Sequence, residues 1–404
     1  MHGRRGSAWV ECAEKQADEI RLMDSSRETL LGWSAKQGSI LTGGGSLLEH
    51  SQPGRDFVES DLPHYYLQQR TTRQQFATWL ADDRRSHAVV GCWSRPLFAG
   101  GWHEDSDRET DAYNLQTPSL FVDLRFPVLR PTEALLEGGC ACTADCSPEQ
   151  LRLLARQHCF AGYTLPEPPL STPAAAAAAV SSSSSKSPLF TRHHIIDWNF
   201  HPSFPRSRPN RWFVQRSPDG QCFKEHSSAR DADGVPVYFE RWARRQGDGG
   251  GEKYLALRRD NECPAAAAKA GRTPGRDGVL VLVGSHFAAA IDRPSMPAFA
   301  GCPGPAAAPL VDQALSLALH AEVSTYLDLE GSYGRAGEGL RVLRCTHPWR
   351  EGRTLFAAPP ALELGPDARP VAVCWGADRW TVLENSYSVA ELRAALGVRL
   401  LAQL

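Results

Sequence analysis

The feature that most constrains this sequence is the run LQTPSLFVDLRFP at residues 115–127. Side chains alternate along it with the period of two that predicts a half-buried β-strand. One face carries Leu120, Val122, Leu124 and Phe126, and the other carries Phe121, Asp123 and Arg125. We therefore expect the first face to pack against a neighbour. Asp123 and Arg125 point the same way on the second face and are the part of the strand most suited to a functional role.

Further strand-like runs occur along the whole chain. They fall at residues 87–93, 194–200, 212–216, 221–227, 235–244, 254–258, 278–291, 327–335, 340–344, 371–375 and 380–385. With the first run, about six precede the glycine-rich segment at 247–251 and about six follow it. Few are separated by a helix long enough for a parallel crossover, so the sheets should be antiparallel. Because closing each set of strands removes exposed edges, the pattern predicts a mostly β protein with two antiparallel β-barrel domains.

A few short helices accompany the strands. Ser147 with Gln150 three residues later forms a capping box, and the helix that it opens should end at Gly162. Ser388 with Glu391 forms a second capping box, for a helix that should end at Gly397. Weaker helical patterns occupy residues 9–23, 73–83 and 309–323.

Composition shifts suggest domain limits. Residues 166–188 contain runs of alanine and serine, and residues 263–275 and 297–309 are rich in alanine and proline, so all three read as low-complexity insertions. We predict a poorly ordered extension with short helices at 1–85, a first barrel at 86–246 that carries the 166–188 insertion, and a second barrel at 247–404 that carries the other two.

Charge and cysteine content exclude some classes of function. The net charge of −2 and the pI near 6.7 give no electrostatic reason to expect binding to nucleic acid or to an acidic membrane. No apolar run is long enough to span a bilayer, and the N-terminus does not resemble a secretory signal. The 11 cysteines are odd in number and irregularly spaced. Together these features favour a reducing, cytoplasmic location.

Several motifs occur in the order of a known family. They are QTPSLFVDLRFP, the FAG at 160–162, HHIIDWNFHP, VYFERW, GVLVLVGSHFAAAIDRP, LEGSYGR and THPWREGRTL. This colinear set resembles bacterial and algal lipocalin-like proteins that are related to the fungal casein-kinase-interacting lipocalin-like family. The chain differs from that pattern in its long N-terminal extension, its Ala/Ser insertion and its His193-His194 pair. The resemblance implies two lipocalin-like barrels, and it implies no enzymatic reaction because the family has no established one.

Asp123 and Arg125 are candidates for ligand binding. They lie about 7 Å apart along one strand face, and if that face lines a barrel their charges must be paired or solvated. A ligand carboxylate or head group would pair with Arg125. The alternative is an internal ion pair with Asp123 or with Glu240 on another strand.

Aromatic residues on predicted strands suggest an apolar pocket. They are Trp198, Phe200, Tyr238, Trp242 and Phe287. A small barrel either fills with such side chains or holds one small ligand between them. The sequence does not distinguish these two outcomes.

Other chemistry has weak support. The cysteines at 140, 142 and 146 lack the CxxC spacing of a structural zinc site, and His193 with Asp197 on one strand face supplies too few metal ligands. The tripeptide Gly284-Ser285-His286 lacks the G-x-S-x-G pattern of a nucleophile elbow. We expect no metal ion and no cofactor.

The sequence favours a non-enzymatic, lipocalin-like protein that binds a small apolar or amphiphilic ligand. The candidate ligand-binding residues are Asp123, Arg125, Trp198, Phe200, Tyr238, Glu240, Trp242 and His286. One alternative is a scaffold with filled barrels that binds other proteins. Another is a lipocalin-like enzyme acting on a hydrophobic substrate, with His286 or Glu240 as the acid or base.

Overall fold

The structure is a computed structural model. It describes residues 87–100, 110–128, 130, 132, 139–166, 189–198, 210–229, 236, 238–245, 253–259, 276–295, 320–337 and 339–398. The predicted extension at 1–85 and its helices lie outside these residues. So do Phe200, the insertions at 263–275 and 297–309, and the 166–188 insertion except for its first residue.

The described residues form sixteen strands and three short α-helices. The strands are β1 (Gly91–Gly100), β2 (Thr110–Gln116), β3 (Leu120–Pro127), β4 (His158–Pro166), β5 (Leu189–Asp197), β6 (Asn210–Arg216), β7 (Cys222–Ser227), β8 (Tyr238–Arg244), β9 (Tyr254–Arg259), β10 (Gly278–Val283), β11 (His286–Ile291), β12 (Glu330–Arg335), β13 (Arg341–Cys345), β14 (Pro360–Leu364), β15 (Pro370–Trp375) and β16 (Asp378–Asn385). The helices are α1 (Pro148–Leu154), α2 (His320–Leu327) and α3 (Val389–Leu396). The prediction of a mostly β, antiparallel protein is confirmed.

Strands β1 to β8 form a closed antiparallel barrel in sequence order. A 3-10 turn at His87–Val89 precedes β1 and covers one end of the barrel, which we call the plugged end. There the Nε1 of Trp93 donates to the carbonyl of Val89 at 2.8 Å, and the guanidinium of Arg244 lies over the Trp93 ring. Because the strands alternate in direction, the β2–β3 and β6–β7 turns lie at this same end.

Strands β9 to β16 form a second eight-stranded antiparallel sheet, in the order β13-β12-β11-β10-β9-β16-β15-β14. Its central strand β10 is buried along its whole length. Leu280 and Leu282 face an inner core that includes Leu392 and Leu396 of α3. The alternate valines of β10 face the first barrel. A strand that is covered on both faces needs apolar residues at every position, which explains the unbroken run GVLVLV.

The barrel and the sheet share one hydrophobic cluster where they meet. Leu124 and Cys159 on the barrel wall approach Gly331 of β12 so closely that a Cβ at Gly331 would lie 2.7 Å from Leu124 Cδ2 and 2.8 Å from Cys159 Sγ. The buried carboxylate of Glu384 accepts hydrogen bonds from the hydroxyls of Thr117 and Ser119 across the same junction. The outer wall of the barrel is therefore part of the protein core.

The run at 115–127 forms a hairpin, so the prediction of one continuous strand is wrong. Leu115 and Gln116 end β2, and the chain turns before β3 begins at Leu120. The backbone N–H of Thr117 donates to the carbonyl of Leu120 at 2.8 Å and closes the turn around Pro118, which has no N–H to donate. The predicted two faces of residues 120–126 are confirmed, because all four apolar side chains pack in the shared cluster.

The prediction of about six strands before and about six after the glycine-rich segment is too low, since the described residues form eight strands on each side of it. The sequence predicted no strand at residues 110–114, which belong to β2, and the predicted helix up to Gly162 overlapped β4. The run at 278–291 is a hairpin that turns at Gly284, which has a φ of 56°. Strand β14 was missed because its residues are largely exposed. The strand predicted at 87–93 begins only at Gly91.

Both capping boxes are confirmed. Ser147 accepts from the N–H of Gln150, and Ser388 accepts from the N–H of Glu391. Gly397 is the C-cap of α3, at the predicted end of that helix, but α1 has its C-cap at Ala155, seven residues before the predicted Gly162. None of the helices among the described residues is long and apolar enough to cross a membrane.

Candidate functional site

Charged side chains cluster inside the first barrel. They belong to β1, β3, β5, β7 and β8, and the side chains from β3 and β5 meet those from the neighbouring strands β7, β8 and β1 across the interior. The cluster consists of Arg95, Asp123, Arg125, Arg192, Glu225 and Glu240. A small barrel interior more often holds apolar side chains, so this layer of charge distinguishes the site.

Asp123 lies at the centre of this cluster and is fully buried. Arg125 donates to it through Nε at 3.0 Å and Nη2 at 3.1 Å, and Nη1 of Arg192 donates at 3.2 Å. Burial opposes the charged form of Asp123, but the attraction and hydrogen bonds of Arg125, with the charge of Arg192, outweigh it. The pKa of Asp123 is lowered to about 2.

Glu240 forms the second anionic centre. Nη1 of Arg95 donates to its Oε1 at 2.7 Å, and Nη2 of Arg125 lies 3.7 Å from the same oxygen. The side chain of Arg125 is 22% exposed, whereas those of Arg95 and Glu240 are 3% and 4% exposed. Arg125 is therefore the member of this group that solvent reaches best. Its pKa is raised, because the attraction of Asp123 and Glu240 outweighs the effect of burial.

Glu225 has no guanidinium within ion-pair distance among the described residues. Its Oε1 accepts a hydrogen bond from the hydroxyl of Tyr238 at 3.0 Å. Burial and the neighbouring charge of Glu240 raise the pKa of Glu225 to about 7, against the opposing effects of Arg192 and Tyr238. Burial also raises the pKa of Tyr238, so its phenol remains a donor at neutral pH.

Aromatic side chains fill the interior beside the charged layer. The inner apolar cluster contains Val89, Trp93, Ala112, Phe190, Trp212, Val214, Phe223 and Trp242. The Arg192 guanidinium lies 4.6 Å from the centroid of Phe121 and 5.0 Å from that of Trp212. The interior thus combines an aromatic surface with a network of charges, an arrangement that can hold an apolar body and a polar head group together.

The structure brings five of the eight predicted site residues together in this interior: Asp123, Arg125, Tyr238, Glu240 and Trp242. Trp198 and His286 do not join them.

Trp198 packs in the cluster between barrel and sheet, where its carbonyl accepts hydrogen bonds from Arg293 and Tyr326. His286 lies on β11, with its Nδ1 2.7 Å from the hydroxyl of Tyr333. Phe287, predicted to line the same pocket, is buried in the inner core of the second sheet.

Sequence reasoning missed Arg95, Arg192 and Glu225. Each stands two residues after a buried aromatic residue on the same strand face, namely after Trp93, Phe190 and Phe223. Asp123 after Phe121 repeats this spacing, and Glu240 before Trp242 reverses it. An aromatic residue and a charged residue at a spacing of two, found on five strands, is the signal that would have identified the whole cluster.

The strand face predicted to hold His193 and Asp197 differs in the structure. A register shift in the β4–β5 pairing leaves Ile195 of β5 as an extra residue, because the consecutive residues Ala161 and Gly162 pair with Ile196 and His194. His194 thereby comes to the side of Asp197, and its Nδ1 lies 3.0 Å from the Asp197 carboxylate. Within the described ranges, no group of three or more His, Cys, Asp or Glu side chains is placed to hold a metal ion.

Comparison with known proteins yields a single distant similarity to report. No protein-family model and no curated protein matches the chain. A crystal structure of the uncharacterized protein YLR301w from Saccharomyces cerevisiae is similar over 73% of this chain and 98% of its own, with 12% sequence identity and a TM-score of 0.40.

Proposed function

We propose that this protein is a lipocalin-like binding protein whose first barrel holds a small amphiphilic molecule. The apolar part of the ligand would lie against the inner aromatic cluster, and its polar head would lie among the charged side chains. Arg125, at the end of β3 away from the plugged end, would orient the head as it enters.

One observation carries this proposal. Six polar atoms on inward-facing side chains are buried and have no hydrogen-bond partner among the residues that the structure describes: Asn114 Oδ1, Arg192 Nε, Trp212 Nε1, Glu225 Oε2, Glu240 Oε2 and Trp242 Nε1. Each such atom costs about 1–3 kcal/mol when it is left unpaired. A ligand head that both donates and accepts hydrogen bonds would satisfy several of them at once.

A scaffold with a filled barrel is the second candidate. It is favoured by the ion pairs of Asp123 with Arg125 and Arg192, which neutralise charge without any ligand. The enzymatic alternative names Glu240 or His286 as the acid or base. Glu240 lies inside the barrel and His286 lies on the second sheet, so the two residues do not belong to one site.

Binding can be tested with purified protein. Native mass spectrometry would detect a co-purified molecule, and tryptophan fluorescence would follow titration with dodecanoic acid, a bile acid and a tetrapyrrole. We expect saturable binding of at least one of these. Trp212→Phe replaces the indole by a smaller aromatic ring and removes one unpaired N–H. It should weaken binding about fivefold, as expected for the loss of about 1 kcal/mol.

Trp349→Phe is the matched control, because Trp349 packs at the shared cluster outside the barrel interior. It should leave affinity unchanged. If no probe binds and nothing co-purifies, or if the two variants weaken binding equally, the proposal is wrong.

A further inference from the structure

Two carboxyl groups face each other inside the barrel. Glu225 on β7 and Glu240 on β8 are directly opposite in the antiparallel register, and both residues are 3% exposed. One oxygen of each is used, by Tyr238 and by Arg95 respectively. The Oε2 atoms of both are buried and have no hydrogen-bond partner in the described part of the chain. Like charges at directly opposite positions of a sheet repel, and the repulsion is stronger in a buried site.

Charged and titratable groups from several strands face Glu225. They are Arg125 on β3, Arg192 on β5, and Tyr238 and Glu240 on β8. From β6, the residue in register with Glu225 is the apolar Val214. Of these groups, Glu240 disfavours the ionised carboxylate, while the two arginines and the tyrosine hydroxyl favour it.

The charge balance of the cluster depends on Glu225. Arg95, Arg125 and Arg192 contribute three positive charges, and their ion-pair partners are the two carboxylates of Asp123 and Glu240. With Glu225 ionised, the six groups carry no net charge. With Glu225 protonated, they carry one net positive charge in a buried site, and a bound anion would neutralise it.

We infer that the head group held by the barrel is an oxyanion, and that it binds together with a proton carried by Glu225. This inference rests on the proposed function. The protonated carboxyl relieves its repulsion with Glu240, and its O–H becomes a donor towards the ligand. The unpaired Nε of Arg192 and Nε1 of Trp212 are further donors to an oxyanion. Because burial and the charge of Glu240 raise the pKa of Glu225 to about 7, this carboxyl group can bind and release the proton near neutral pH.

The test compares three ligands of one chain length: decanesulfonate, decanol and decyltrimethylammonium. Their charges are fixed, so any change of affinity with pH comes from the protein. Affinity for decanesulfonate should fall about tenfold for each pH unit above about 7, which is the linkage expected for one proton. Calorimetry in phosphate and in Tris buffer should show uptake of nearly one proton per ligand at about pH 8. Decanol should bind without a pH dependence.

Three variants test whether Glu225 carries the proton that is taken up with the ligand. Glu225→Gln should bind decanesulfonate with a flat pH profile at the affinity that the unchanged protein has at low pH. Lys224→Gln changes the outward-facing neighbour on the same strand, and it should keep the slope. Tyr238→Phe removes a hydrogen bond that lowers the pKa of Glu225, so the pH at which the affinity for decanesulfonate begins to fall should move higher. This variant replaces Glu225→Gln as the test if Glu225→Gln does not fold.

Three results would overturn the inference. They are decanesulfonate binding that is independent of pH, preference for the cation, and an unchanged slope in Glu225→Gln. If decanol binds while decanesulfonate does not, the proposed function stands and the oxyanion inference fails. If no probe binds at any pH, both fail.

Discussion

The inner faces of the two eight-stranded units are filled in opposite ways. The second sheet presents leucine, phenylalanine and alanine at the inward positions of β9, β10 and β11, and α3 covers them. The first barrel presents three arginines and three acidic residues beside its aromatic cluster. The same strand count therefore supports an apolar core in one unit and a buried polar network in the other.

This difference separates the residues expected to hold the fold together from those of the proposed binding site. Replacing buried ion pairs by apolar side chains of similar volume is often neutral or stabilising, so we do not expect the ion pairs in the first barrel to be the main source of its stability. The barrel instead gains hydrophobic burial on its outside, where the apolar face of β3 packs against the second sheet. Its interior is thereby left free to carry polar groups. Three predictions test this separation.

The largest effect is expected in the core of the second sheet. Phe287→Ala should lower the free energy of unfolding by about 3–5 kcal/mol, because the ring is fully buried and its removal leaves a cavity. Chemical denaturation measures this loss. Phe239→Ala removes an outward-facing, partly exposed ring of the barrel and should cost about 1 kcal/mol. Equal losses in the two variants would contradict the comparison.

A smaller, pH-dependent effect is expected from the barrel interior. Because the folded pKa of Glu225 is about 7 and its ordinary value is 4.5, the folded state binds more protons between these values. The stabilising contribution of the proton is therefore complete below the unfolded pKa and is lost as pH rises through the folded pKa. From about pH 5 to about pH 8 the free energy of unfolding should fall by about 2 kcal/mol more than in Glu225→Gln. Parallel pH profiles of the two proteins would contradict this.

The smallest effect is expected at the junction between the units. Gly331→Ala should cost about 1–2 kcal/mol, because the new methyl group overlaps Leu124 and Cys159. Leu124→Ala provides space for it, so the double variant should recover at least about 0.5 kcal/mol relative to additive losses. If the losses of the two single variants simply add in the double variant, the close approach of Leu124 to Gly331 does not affect stability, which would contradict this prediction.

Local patterns predicted the elements that depend on near neighbours in the chain. Alternation assigned the two faces of residues 120–126 correctly, and both capping boxes formed. The failures were also local. The alternating pattern predicts a strand that continues across Pro118, where the chain turns. The helical pattern extends α1 into residues that form β4. In both cases the boundary is set by pairing with another strand, which a short window does not contain.

The candidate site was partly predictable. Asp123 and Arg125 stood out because they share the polar face of a strong strand, and Glu240 was named as their alternative partner. Arg192 and Glu225 were missed, although each lies two residues from an aromatic side chain. Trp198 was placed wrongly because it lies one residue beyond β5, where the strand period no longer applies.

By itself, the sequence determined that this chain forms short antiparallel strands, and it determined which side chains of residues 120–126 share a strand face, because both depend on the order of neighbouring residues. Only the tertiary structure decided which face points inward. The apolar face of β3 lies outside its barrel, since the second sheet covers it, and the charged face lies inside. The meeting of Arg125 on β3 with Glu240 on β8 likewise required closure of the barrel, because charges on distant segments become partners only when the strands that carry them are brought together.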